Sequence, residues 1–522
     1  MTGRLRTTRC ALSALWLLAA AGCQRCGCAS ESAPTAHADQ LARLEPWPEC
    51  DPDAETVAHF RLLLDGRVAG SGRTSQQRCH TPAGERWLVQ QRERLALLRQ
   101  GRRVELRREQ LSLIDASGRL LRLRLRNSQP GKTEQLLHAG RVGGEMLTLR
   151  GSELRRTPFA PDALALALYP RFLWPEQPPE PGAVHRFRAY SPRSAGYEQQ
   201  RVEVLAGAAD GGGIRLLRRA ADQPGGRTVS CYGPDWRLER RRSTMGALRL
   251  EAIRQAAAPE PALPAAAPDI SGLMRVRTAG RIADPAQLQR ARYRIEGLPG
   301  DGPPLDWTGP GQGPLASAGG GPDGLRLEVR RLAAPPPVAF PPPAAGHGQW
   351  LAPTDLVQSD HPRIRSLARR LTAGAETAWQ AALALRRWVA AEIGSQMGLS
   401  FASALEVLRA GSGDCSEKAV LLVALARAAG IPARAVTGLV YHRGAFRLHM
   451  WAEVRVGRWQ PLDAALGPER VSAARIRFAV DPLALGPEGA RTTATMAALL
   501  TGGLRVIVEQ TGYAAAARGA QR

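Results

Sequence analysis

The stretch from Arg119 to Arg126 narrows the possible folds of this chain more than any other. Leu121, Leu123 and Leu125 alternate there with Arg122, Arg124 and Arg126. A period of two sends successive side chains to opposite faces of a strand, so the leucines face a core and the arginines face water. Such a segment belongs in an antiparallel sheet with one solvated face. Around it, short apolar runs recur between glycine-containing turns at Asp65-Gly66, Ala116-Ser117-Gly118 and Gly143-Gly144. Residues 47–255 are therefore expected to form a β-rich domain, an antiparallel meander curving towards a half-barrel.

After Trp350 the period changes to that of helices. Ile364, Leu367 and Leu371 share one face, and Ala378, Ala381, Leu385, Trp388 and Val389 share another. A short helix follows over Ser403–Arg409, with Leu405 and Leu408 inward. Two proline-rich stretches, Ala256–Pro268 and Pro335–Pro343, separate the two regimes. The expected layout places linkers at 256–269 and 335–347, a small β region at 270–334, a catalytic domain at 348–480 and an extension at 481–522. The fold class is α+β. Gly309–Gly324 is rich in glycine, but no Gly-Lys-Ser/Thr follows it, so it reads as a loop and not a phosphate cradle. A hydrophobic content of 44% with 23% charged residues excludes a polytopic membrane protein and a wholly disordered chain.

The first residues point to export. Arg4, Arg6 and Arg9 precede an uncharged apolar run, Ala11–Ala21, that is too short to span a bilayer. The run ends Ala20-Ala21-Gly22-Cys23, which resembles the lipobox of bacterial lipoproteins. That resemblance implies a signal peptide over 1–22, acylation of Cys23, a tether over 23–46 and an extracytoplasmic, lipid-anchored location. Cys26 and Cys28 lie in the tether, and no His follows at metal spacing. Cys50 and Cys79 can pair in an oxidising compartment. The net charge is +24, and only Lys132 and Lys418 among 71 cationic residues are lysines. Such basicity raises nucleic acid as a partner. Export and the lack of aromatic residues among the arginine strands argue against it, and no specific nucleic-acid partner is expected.

Chemistry concentrates at Gly411-Ser412-Gly413-Asp414-Cys415-Ser416-Glu417-Lys418. Asp414 with Glu417 forms a capping-box pattern, so Cys415 stands in the first turn of a helix, where unpaired N–H groups and the positive dipole end favour a thiolate. The helix over Ser416–Ala429 is apolar nearly all round and so central. A hairpin of Leu448–Val454 and Arg458–Asp463 follows. If Arg455-Val456-Gly457 is a three-residue loop, Val454 faces Arg458 and His449 faces Asp463, about 5 Å apart at Cβ. A two-residue loop would shift the register by one. Cys415, His449 and Asp463 then supply a nucleophile, a base and an orienting carboxylate.

The stretches GSGDCSEKAVLL, ALARAAGIPARAVTG, HMWAEV and WQPLDA resemble the transglutaminase-like superfamily over about Trp350–Gly467. The resemblance implies a papain-like arrangement, with the cysteine helix packed on an antiparallel sheet. It implies triad roles for Cys415, His449 and Asp463, with the backbone N–H of Cys415 and the side chain of Gln396 as oxyanion candidates. The implied reaction passes through a thioester on a protein or peptide amide, with water or an amine completing it. No cofactor is expected; some animal members need calcium, but no acidic loop here would hold it. The other reading is a non-catalytic binding or scaffold lipoprotein on the same fold.

Overall fold

The structure is a computed structural model. It describes residues 38–513 except 51–54, 100, 130–133, 151–152, 177–178, 193, 210–212, 221–225, 234–235, 246–247, 257–262, 299–304, 316–323, 344–345, 396–401, 482 and 484–502. Residues 1–22, expected to form a signal peptide, and Cys23, Cys26, Cys28 and Gln396 lie outside the described residues. Those described fall into two compact units, one up to Ser271 and one from Gly272.

The first unit is a 14-stranded antiparallel sheet. Its strands are β1 (Thr56–Leu64), β2 (Arg67–Thr81), β3 (Gly84–Arg99), β4 (Arg102–Asp115), β5 (Leu120–Ser128), β6 (Gln135–Val142), β7 (Glu145–Arg150), β8 (Glu153–Pro158), β9 (Val184–Ser191), β10 (Gly196–Ala209), β11 (Gly213–Ala220), β12 (Gly226–Tyr232), β13 (Leu238–Met245) and β14 (Leu248–Gln255). Strands β1 to β8 run outwards as one meander and β9 to β14 as another, and β1 pairs with β14 to join them. In β5 the alternation behaves as its period requires. Leu121, Leu123 and Leu125 are buried, while Arg122 and Arg124 are half-buried and Arg126 is exposed.

The sheet curls further than a half-barrel. Leu123, Leu125, Leu137, Ala139 and Met146 from β5 to β7 pack against Tyr190 of β9, although these strands lie near opposite edges. The Tyr190 hydroxyl hydrogen-bonds Thr148 of β7 at 2.6 Å, and Thr157 of β8 donates to the carbonyl of Ala195 at 2.9 Å. An apolar sheet face must be covered, and here it is covered partly by this closure and partly by Ala165, Ala167 and Leu168, which pack on Val89 and Ile114. Cys50 and Cys79 form a disulfide that ties the segment before β1 to β2.

The second unit holds β15 (Arg277–Ala279), β16 (Leu288–Glu296), β17 (Gln312–Pro314) and β18 (Leu325–Arg330), then helices Pro362–Thr372, Ala378–Glu392, Ala404–Ala410 and Cys415–Ala428. Two short strands, β19 (Gly394–Ser395) and β20 (Ser412–Gly413), flank the third helix. After the fourth come β21 (Ala433–His442), β22 (Ala445–Val456), β23 (Arg458–Leu462), β24 (Arg475–Asp481) and β25 (Arg505–Tyr513). The helix Cys415–Ala428 is central, as its all-round apolar character requires. Val420 to Ala426 pack among the other three helices and Ala433, Ala435, Met450, Ala452 and Val454 of the sheet β23-β22-β21-β24.

The small β region and the C-terminal extension pack together with the segment that follows the helices. Strand β25 joins β15 to β18 in the sheet order β15-β25-β16-β18-β17. Tyr293, Ile295, Leu327 and Val329 bury against Leu439, Tyr441, Phe446, Ile476 and Phe478. The alternating strands of 288–330 have one apolar face, and that face needs this cover.

Candidate active site

Cys415 is the first residue of its helix. The Asp414 carboxylate accepts from the Ser416 N–H at 3.0 Å, and Glu417 Oε2 accepts from the Asp414 N–H at 2.8 Å, which completes the capping box. The approach to the cysteine is fixed from both sides. Strand β20 pairs in parallel with β19, Ser412 beside Gly394 and Gly413 beside Ser395. Gly413 has no room for a side chain, since a Cβ there would lie 2.6 Å from Glu417 Cβ.

His449 projects from the middle of β22, opposite Gly438 of β21. Trp451 stacks beside it with ring centroids 6.1 Å apart and planes 25° from parallel. Gly438 makes the space for that indole: a Cβ at 438 would lie 2.5 Å from Trp451 Cη2.

The hairpin register differs from the one read from sequence. Val456 lies opposite Arg458 and Ala452 opposite Leu462, so the turn pivots on Gly457 alone, at φ +82°. The three-residue loop is thus replaced by a tighter one, and β23 is displaced by two residues. A shift of two keeps every side chain on its face, so the His449–Asp463 pairing survives as a diagonal contact. Asp463 lies just past β23, and its Oδ2 is 2.7 Å from His449 Nε2. Its Oδ1 accepts from the N–H groups of Ala465 and Leu466 at 2.8 and 3.0 Å. His449 and Asp463 are 3% and 1% exposed.

Two arginines complete the surroundings, and neither stands out in the sequence. Arg475 of β24 donates from Nη2 to Asp463 Oδ2 at 2.6 Å and to the Leu466 carbonyl at 2.8 Å. Arg386 donates to the backbone carbonyls of Asp463 and Gly467 at 2.8 and 2.9 Å. The alternation Arg475-Ile476-Arg477-Phe478 suggests arginines on a solvated face. They are instead buried, because the carboxylates of Asp463, Asp306 and Glu453 receive them. Glu453, two residues after Trp451, serves structure: it is 1% exposed and pairs with Arg434 at 2.6 Å.

The electrostatics follow from these contacts. Burial lowers the pKa of His449, but the Asp463 charge, the Cys415 charge and hydrogen bonds to both outweigh it, and the imidazole is raised to about 10. Burial pushes Asp463 up, but His449 and Arg475 hold its carboxyl well below the usual range. Nε2 is spent on Asp463, so Nδ1 is the nitrogen left to face Cys415. Burial lowers the ammonium of Lys418, against the opposing pull of Asp463. Among the described residues, no three His, Cys, Asp or Glu side chains gather as a metal site would need.

Residues 365–464 match the family model of the Transglutaminase-like superfamily, a span that includes Cys415, His449 and Asp463. No curated protein matches the sequence. Among solved structures, the chain is similar to a "putative cysteine protease" from Cytophaga hutchinsonii, at 17% identity and a TM-score of 0.24, over 42% of this chain and 83% of that one. It is also similar to a beta-barrel-like protein with a domain of unknown function from Brucella abortus, at 11% identity and a TM-score of 0.29, over 38% and 95%. A third, a "putative protease" from Parabacteroides distasonis, shares 11% identity at a TM-score of 0.18, over 72% and 70%.

Proposed function

We propose that the chain is an extracytoplasmic thiol enzyme that cleaves or transfers the acyl group of a protein or peptide amide. One observation carries this reading. A single buried imidazole is bonded to a carboxylate through Nε2, and the cysteine at the first position of the central helix acts on the same ring. A structural histidine needs one such partner; a catalytic base needs both.

The Cys415 proton passes to His449 Nδ1, and the imidazolium is held in orientation by Asp463. The sulfur attacks the amide carbonyl, and the carbonyl π pair moves onto oxygen. That oxyanion is received by the backbone N–H of Cys415, which has no partner within its helix because it is a first-turn group. Collapse breaks the C–N bond, His449 gives its proton to the departing amine, and a thioester remains. Water on the thioester releases an acid; a second amine releases a new amide. In either case His449 takes the proton of the attacking group and returns it to sulfur.

A peptide library tests this without a chosen substrate. The mature protein is incubated with the library and a free amine, and products are weighed by mass spectrometry. Hydrolysis and amine transfer differ in product mass, and Cys415→Ser is expected to abolish both. A folded, reduced protein in which Cys415 resists a thiol probe and no peptide changes mass would sink the reading. The location is a second proposal, supported by the lipobox-like Cys23 and by a disulfide suited to an oxidising compartment. Radiolabelled palmitate fed to expressing cells should enter the wild-type chain and not Cys23→Ala.

A further inference from the structure

Asp463 Oδ2 accepts two hydrogen bonds, one from His449 Nε2 at 2.7 Å and one from Arg475 Nη2 at 2.6 Å. Arg475 is 5% exposed, and its guanidinium is held in place by the Leu466 carbonyl. Gly467 lies close beneath it: a Cβ at 467 would stand 3.2 Å from Nη2. The other charged groups that bear on Asp463 are Lys418, through its charge, and Arg386, through the Asp463 backbone carbonyl.

Charge counting gives Arg475 a purpose. Whether the proton sits on Cys415 or on His449, the row of half-buried Cys415 and buried His449 and Asp463 carries a net charge of −1. An unbalanced buried charge is costly, and the site would relieve it by protonating its carboxylate. The guanidinium brings the row to zero and occupies the oxygen that a proton would take.

We propose that Arg475 is a positioning residue that keeps Asp463 ionised and its Oδ2 turned to His449, so that the thiolate–imidazolium pair persists into acid. The inference rests on the triad reading above. Burial pushes the Asp463 carboxyl up and His449 and Arg475 together hold it down, so without Arg475 it rises from its wild-type position. A neutral Asp463 no longer supports the imidazolium, and the thiolate is lost as pH falls.

The experiment follows the rate of Cys415 alkylation by iodoacetamide from pH 4 to pH 10 in the full chain, with folding checked by circular dichroism. The wild type should keep reacting at pH 5. In Arg475→Met the acid limb should move up by at least one pH unit, which is about a tenfold loss at pH 5. Its rate at pH 9 should stay within about twofold of wild type, and Arg475→Lys should recover at least half of the shift. If Arg475→Met does not fold, Arg475→Gln takes its place with the same expected shift. Superimposable profiles, or a loss by the same factor at every pH, would overturn the positioning role while leaving the triad standing. A wild-type thiol that reacts only above about pH 8, as an unperturbed cysteine does, would overturn the triad reading and this inference with it.

Discussion

His449 Nε2 and Asp463 Oδ2 lie 2.7 Å apart, although Asp463 stands outside the strand that pairs with β22. The contact is held by the turn after β23, where two backbone N–H groups fix the other carboxylate oxygen. Asp463→Asn should therefore lower turnover by about 10³–10⁴-fold, because an amide can hold the imidazole in the wrong tautomer. It also leaves Arg475 without its anion, so stability should fall by roughly 3–5 kcal/mol. Steady-state kinetics on whichever peptide the library assay selects, with urea denaturation alongside, reads both effects. Unchanged turnover would remove Asp463 from the mechanism.

The raised imidazole predicts the sign of an alkaline effect. A group whose pKa is higher folded than unfolded stabilises fully below about pH 6.5, its unfolded value, and loses that stabilisation as pH rises through about 10. Wild type should thus lose more stability between pH 7 and pH 10 than His449→Gln does. Asp463 acts oppositely, stabilising above about pH 4 and losing its contribution as pH falls towards its lowered folded value. Denaturant midpoints of the two proteins across pH give the difference. Parallel curves on the alkaline side would refute the assignment of charge to His449.

Gly438→Ala should destabilise by about 1–3 kcal/mol or more, since the added methyl meets the Trp451 ring and the Ile476 backbone oxygen at once. The indole must yield, and with it the surface that His449 stacks upon. Slower thiol labelling at Cys415 should accompany the loss of stability. A variant within about 0.5 kcal/mol of wild type would mean the strand can shift to make room.

Replacing both Cys50 and Cys79 by serine should cost about 2–4 kcal/mol, given the 29-residue separation that the bridge closes. The loss belongs to the β unit, so Cys415 labelling should keep its rate and pH profile. Thermal unfolding with and without reductant reads the first part. An equal melting temperature in both conditions would show the bridge to be idle.

Much of the second unit was legible because its chemistry is local. The capping box at Asp414 and Glu417 and the apolar helix behind Cys415 are each written within a few residues. The strand alternation of the first unit was equally plain in β5. What escaped depended on distant partners. Arg475 reads as a solvated residue until Asp463 is brought to it, and nothing in its immediate neighbours along the chain marks that pairing. The hairpin register escaped because a positive-φ glycine permits several loop lengths, and only cross-strand packing chooses among them. How far a 14-stranded meander curls is set by contacts between strands that are remote in sequence, such as Thr148 and Tyr190.

The place of β25 bears on how the second unit can be made. That strand lies between β15 and β16, and its Arg505 pairs with Glu296 across 209 residues of sequence. During synthesis, β16 can gain its first neighbour, β18, early. Its other edge stays bare until the ribosome has delivered residues up to Tyr513. An open edge is a template for the wrong strand, and contacts of such long separation form slowly. Shortening the chain by its last few dozen residues would leave Cys415, His449 and Asp463 in the sequence, yet withhold the strand that closes the sheet beside them. Loss of soluble product from such a truncation would therefore report on assembly and not on catalysis.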